Sequence, residues 1–195
     1  MTRRARPFQP FVAAIFCAFG LAVPAAGQEA PATPPAEATT DLDALFAALK
    51  APGEGWRGAE ADILRAWSRS GSASIDYLRQ RGEAALDAGD LAAAIGHLTA
   101  LTDHAPDYAP GFQLRAAAYA FAGEFGPAAA DLARALTLEP RNFLALTQLG
   151  AMLEEIGNTE AALDAFEVSL AIHPHQQEAL DAVARLTRAL GGTAI

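Results

Sequence analysis

The feature that most limits what this chain can fold into is a period. Gly150, Gly157, Ala162, Phe166 and Pro174 are preceded, 34 residues earlier, by Ala116, Gly123, Ala128, Leu132 and Pro140. Another 34 residues back stand Gly82, Gly89, Ala94, Leu98 and Pro106, with no gap in the register. A fixed period of this length means a stacked array, in which each unit buries its apolar face against its neighbours. The mid-unit glycine suits the left-handed turn that ends one helix, and the final proline stops a second. Residues 75–108, 109–142 and 143–176 are therefore predicted to be three helix pairs. Asp90 and Asn158 suit the cap of the second helix, and Gly126-Pro127 takes over that role in the middle unit.

The pattern resembles the tetratricopeptide repeat, in which large, small and large apolar positions are followed by Ala, an aromatic and Pro. In the third unit Leu146, Leu149, Gly150, Leu153, Ala162, Phe166 and Pro174 carry it. The resemblance implies an all-α, right-handed α-α superhelical solenoid with ligands on its concave face. The small residues Gly82, Ala116 and Gly150 are expected to face Ala94, Ala128 and Ala162, with Leu78, Phe112 and Leu146 filling the gaps between units. Residues 177–190 begin a further unit, with Leu180, Val183 and Ala184 in register, and read as a polar capping helix before a frayed tail at 191–195. Residues 41–74 match the repeat poorly. Asp41 can cap a helix bearing Leu42, Leu45, Phe46 and Leu49, and a second is expected over 58–69, with Ile63, Leu64 and Trp67 apolar. They read as a divergent hairpin that covers the first true repeat.

The first forty residues differ in kind. Arg3, Arg4 and Arg6 precede an apolar run from Phe11 to Val23, and Ala25-Ala26-Gly27 offers a small-residue cleavage site. This is the layout of a secretory signal over 1–27. The run is too short to span a bilayer, although an uncleaved anchor using Phe8–Gln28 is the alternative. Cleavage would remove the only cysteine, Cys17, and with it any disulfide or thiol chemistry. Residues 28–40, with Pro31, Pro34 and Pro35, read as a disordered linker. The formal charge is -9, and it becomes more negative once the three leading arginines are removed. A body of that sign is repelled by phosphates and anionic lipid, which argues against a nucleic-acid partner and against stable membrane insertion after cleavage. Arginine outnumbers lysine, whose single copy is Lys50, and alanine is abundant, as in GC-rich bacterial genomes. With the signal, that points to the periplasm.

No serine elbow, phosphate loop or HExxH pattern is present, so no enzymatic activity and no cofactor is expected. His97, His104, His173 and His175 lack in-register further ligands, and the simpler reading of His173-Pro174-His175 is a turn between units rather than a metal site. What remains is the groove. In the resembling family the second, fifth, ninth and twelfth places of each first helix line it. Here those places include Arg79 and Glu83, then Gln113, Ala117 and Ala120, then Leu144, Thr147 and Ala151, and on the capping helix Asp181 and Arg185. Some members of that family clamp a C-terminal carboxylate with Lys and Asn on this face. No Lys follows Lys50 and no Asn stands at those places, so that activity does not carry over. The centre is instead small and apolar and the ends charged, which suits an extended or helical segment with a small apolar middle.

The expected function is a non-enzymatic adaptor that holds a protein or peptide segment, in keeping with an envelope-assembly role implied by the resemblance. The rivals are a self-assembling structural protein, in which the homo-oligomer forms through an open end or the groove, and a solute-binding protein with a pocket near Phe121 and Ala117. Placing Ala128 at a close helix contact has a direct consequence. Ala128→Phe is expected to overpack it and cost about 1–3 kcal/mol. An unchanged melting temperature would take Ala128 out of the interface.

Overall fold

The computed structural model describes residues 41–192, and in them the turn chemistry of the repeat comes out three times over. The readings of 1–27 and 28–40, and the last three residues of the expected tail, lie outside the described residues. At the first of these turns Asp90 N–H donates to Ala85 O and Gly89 N–H to Leu86 O, both at 2.9 Å, and Gly89 takes φ +71°. The same pair of bonds recurs at Gly123-Glu124 and at Gly157-Asn158. Each satisfies carbonyls that the end of a helix would leave without partners, in a conformation open to glycine. Asp90 and Asn158 then turn to the next helix, where each side chain accepts from the backbone of the residue three along.

Six helices follow in antiparallel pairs: α3 (Ala73–Asp87) with α4 (Leu91–His104), α5 (Ala109–Phe121) with α6 (Phe125–Leu138), and α7 (Phe143–Glu155) with α8 (Thr159–Ile172). The final α9 (Gln177–Gly192) packs on α8 and runs two residues past the expected end at 190. Each second helix stacks on the next first helix, α4 on α5, α6 on α7 and α8 on α9, which gives a solenoid. No helix among the described residues is long and apolar enough to cross a membrane.

The close contact within a pair is not quite the one expected. A Cβ built on Gly82 would come within 2.6 Å of Leu98, and one on Gly150 within 2.9 Å of three ring atoms of Phe166. The small place on the first helix therefore meets the large residue of the second helix ahead of Ala94 or Ala162. Ala116 and Leu132 share a core cluster in the middle pair. One junction also carries a buried charge pair. Arg115 donates from Nε and Nη2 to the two carboxylate oxygens of Asp131 at 2.7 and 2.8 Å, and from Nη1 to Thr102 Oγ1 at 2.7 Å. This ties α4, α5 and α6 together, and the bidentate geometry offsets part of the cost of burying Asp131.

The N-terminal hairpin departs further from expectation. It consists of α1 (Leu42–Leu49), capped by Asp41, and α2 (Trp56–Trp67). It does not cover α3, whose packing partners are α4 and α5. Instead Phe46, Leu49, Ala59 and Ile63 form a core with Phe143 at the start of α7, flanked by Leu144 and Ile172. The reason is chemical. Phe143 offers a large ring at a turn between units, whereas the exposed face of α3 offers Arg81, Ala84 and Ala88 beside one tyrosine.

Gly150→Ala weighs two opposed effects. Alanine gains about 1 kcal/mol of helix propensity over glycine, while overpacking costs about 1–3 kcal/mol. Phe166 is 1% exposed and has nowhere to swing, so overpacking should win and thermal denaturation should show a loss. In a Phe166→Leu background, which copies the Ala116 and Leu132 pair of the middle unit, the same change should become neutral or stabilising.

Candidate functional site

The concave stripe is built on α3, α5, α7 and α9, and its ten candidate residues fare differently. At the α3 end Arg79 is half-buried and pairs with Glu83 one turn on, and its Nε has no hydrogen-bond partner. Tyr108 lies close enough to feel this pair. Burial pushes its phenol up to about 12, against the opposing pull of Arg79. In the middle, Ala117 and Ala120 are half-buried on α5, and Ala151 is exposed on α7. At the far end Arg185 donates to both carboxylate oxygens of Glu154 at 2.9 and 2.7 Å, and this holds the Glu154 carboxyl below its usual range. Asp181 is exposed and accepts from Gln177 Nε2 at 2.8 Å.

Three of the ten are not free groove residues. Gln113 is buried, at 8% exposure. Thr147 is buried too, and its hydroxyl is used inside the fold: it donates to Gln176 Oε1 at 2.9 Å, Gln176 Nε2 donates to Ser169 Oγ at 2.7 Å, and Ser169 donates to Phe143 O at 2.9 Å. A polar side chain at the fifth place of a first helix is thereby spent on joining α7, α8 and the turn into α9. Leu144 is covered by the hairpin. The solute-binding alternative places its molecule near Phe121 and Ala117. Phe121 is 74% exposed.

The hairpin makes a second site that the repeat pattern could not reveal. Both tryptophans of the chain lie on α2. Trp67 stands 5.3 Å, ring to ring, from Phe143, and its carbonyl accepts from the Tyr108 hydroxyl at 3.0 Å. Trp56 stacks on His175 at 4.9 Å and lies 5.5 Å from the His173 ring. Arg141 sits over the Phe46 ring and pairs with Asp43. The placing of both tryptophans in an otherwise poor repeat match was the one signal that these helices bind something other than a neighbouring unit.

His173 is the chemical centre of that interface. It is 1% exposed, edge-on to Phe143 at 4.9 Å. Its Nδ1 accepts from the His175 backbone N–H at 3.4 Å, which leaves the proton on Nε2. Nε2 stands 3.2 Å from Glu60 Oε1 on α2, without the alignment of a hydrogen bond. Burial pushes the imidazole below its ordinary 6.5, more than Glu60 pulls it back. Two histidines and one carboxylate meet here, and among the described residues no group of three or more His, Cys, Asp or Glu is placed to hold a metal ion.

No protein-family model matches the chain. It is 32% identical over 153 residues to a TPR repeat-containing protein of Rhizobium etli, an alignment covering 77% of this chain and 75% of that relative. Among solved structures it is similar to the first TPR of Spaghetti (RPAP3) bound to the HSP90 peptide SRMEEVD, at 25% identity. That match has a TM-score of 0.59 and covers 62% of this chain and 95% of the other. MamA shares the fold at 22% identity with a TM-score of 0.57, covering 70% of this chain and 78% of its own.

The burial of His173 makes hairpin docking depend on pH, with a sign that can be worked out. An undocked imidazole takes up a proton near 6.5, and the docked one only at lower pH. The docked state thus binds fewer protons in between, and its stability, fully present above 6.5, falls as the pH drops through the docked value. Tryptophan fluorescence should report progressive undocking as the pH falls below about 6.5. The dependence should flatten in His173→Gln, while Glu60, His175, Trp56 and Phe143 remain around the site.

Proposed function

The chain belongs to the tetratricopeptide-repeat family, and on that premise we propose that it is a non-enzymatic adaptor which holds a peptide segment of a partner protein against its concave face. The observation that carries this is the stripe left open after the hairpin has docked. Ala117, Ala120 and Ala151 form a small-residue floor, with the Arg79–Glu83 pair at one end and the Arg185–Glu154 pair at the other. Small side chains let a bound backbone approach closely. The Arg185–Glu154 pair is the more exposed of the two and contributes little to folding, so its charges can be exchanged for those of a ligand, whereas Arg79 is largely buried. A structural neighbour whose first TPR is bound to a peptide supports the same use of the fold. Without Lys or Asn at the groove places, recognition runs through the partner's side chains and not through a terminal carboxylate.

The compartment forms part of the proposal. The signal-like segment 1–27 supports export to the periplasm, with an uncleaved anchor as the alternative, and a role in assembly or quality control of the cell envelope. Gln113 and Thr147 are poor places to test the groove, because a charge there would be buried. Ala117→Glu/Ala151→Glu adds two carboxylates where side chains reach solvent. Peptides selected from a random displayed library on the parent protein should bind this variant at least about tenfold more weakly by titration calorimetry, a loss of about 1.4 kcal/mol. Equal binding to both would move recognition off the concave face.

A further inference from the structure

We propose that the outer face of α3 is a self-complementary surface through which two copies of the chain pair about a two-fold axis. The starting point is the register. Three successive first helices bury their stacking face against the preceding second helix: Gly111 and Ala118 on α5, Ala145 and Met152 on α7, Ala179 and Leu186 on α9. The matching places on α3 are Tyr77 and Ala84, and both are exposed, Tyr77 at 58%. Gln80, Arg81, Asp87 and Ala88 around them are exposed as well. This face is therefore the same stacking surface that is filled at every later junction, left open at the first.

The described segment that precedes α3 is committed elsewhere. The hairpin is held at Phe143 and His173. Its connection to α3 is pinned as well, since Ser70 donates from both backbone N and Oγ to Asp76 Oδ1, at 3.0 and 2.7 Å.

The choice of a second copy as occupant rests on charge. Arg81 stands 34 residues before Arg115, which is satisfied by Asp131, but the residue 34 before Asp131 is His97. Among the described residues neither the Arg81 guanidinium nor the Asp87 carboxylate has a hydrogen-bond or ion-pair partner. They lie three residues either side of Ala84. On a helix that places them about 4.5 Å along the axis and about 60° around it, in opposite senses. A two-fold axis through Ala84, normal to the helix, brings Asp87 of the second copy to the place facing Arg81 of the first, and reciprocally. The small Ala84 lets the two helices cross closely, and Tyr77 lies toward Ala88 of the second copy. Such an isologous contact closes on itself and yields a dimer.

The test is a charge swap read by sedimentation of the purified protein across a dilution series. The parent should pass from twice 20.3 kDa to 20.3 kDa on dilution. Arg81→Glu and Asp87→Arg should each weaken association by about tenfold or more, by placing like charges opposite one another. The double variant Arg81→Glu/Asp87→Arg should return to within about threefold of the parent, since its pairs are restored with sign reversed. All the changes are at exposed places, and far-UV circular dichroism should stay at the parental level. Peptide binding in the groove should not change, so this proposal and the adaptor reading fail separately. A parent still monomeric at about 1 mM, the weak end of specific association, would overturn it. So would single variants that dimerise like the parent, or a double variant that does not recover.

Discussion

How closely the two helices of a unit can approach decides everything downstream in this solenoid. Gly82 against Leu98, Ala116 with Leu132 and Gly150 against Phe166 are one contact made three times, small on the first helix and large on the second. Interiors pack at the density of organic crystals, so a missing Cβ on one side is matched by a ring or isobutyl group on the other. That contact brings the helices together, and the repeated glycine turn fixes the direction in which the second leaves the first. Stacking then follows, because each pair still has an apolar face to bury.

The hairpin turns part of the solenoid's edge into a core. A turn between repeats is ordinarily a wet place, and here Phe143, Ile172 and His173 present enough apolar surface to be covered by Phe46, Ile63 and Trp67. The cover has a cost, since an imidazole must be held neutral beside a carboxylate. It also has two geometric consequences. Leu144 is lost to the groove, and among the described residues the stacking face of α3 is left without a neighbour.

The open part of the groove is defined by contrast with what lies beneath it. Arg115, Asp131, Thr147, Ser169 and Gln176 are polar residues whose hydrogen bonds are spent inside the fold, where leaving one unmade would be expensive. Arg185 pairs with Glu154 nearer the surface, where water can replace a partner at little cost. On the adaptor proposal, a charged peptide would compete for that pair and not for the interior set.

The fold was legible because it is a local matter repeated. Glycine at a positive φ, a cap at Asp90 or Asn158 and a proline after the second helix each act within a few residues, and a 34-residue period shows them in register. The phase that puts the candidate groove places on one side of each first helix was legible too. Whether each place is open was not. Gln113 and Ala117 look alike as positions, and burial separates them; Thr147 is removed by residues 22 and 29 positions away in sequence. The hairpin shows the same divide. Its caps and apolar faces were written in the sequence, but its docking site lies about eighty residues beyond it, and no local rule relates Trp67 to Phe143. The sequence by itself determined the helices, their turns and the order of stacking, because those depend on backbone conformation and periodic burial. Only the tertiary structure decided which faces stay open, because exposure depends on what distant parts of the chain bring to the same place.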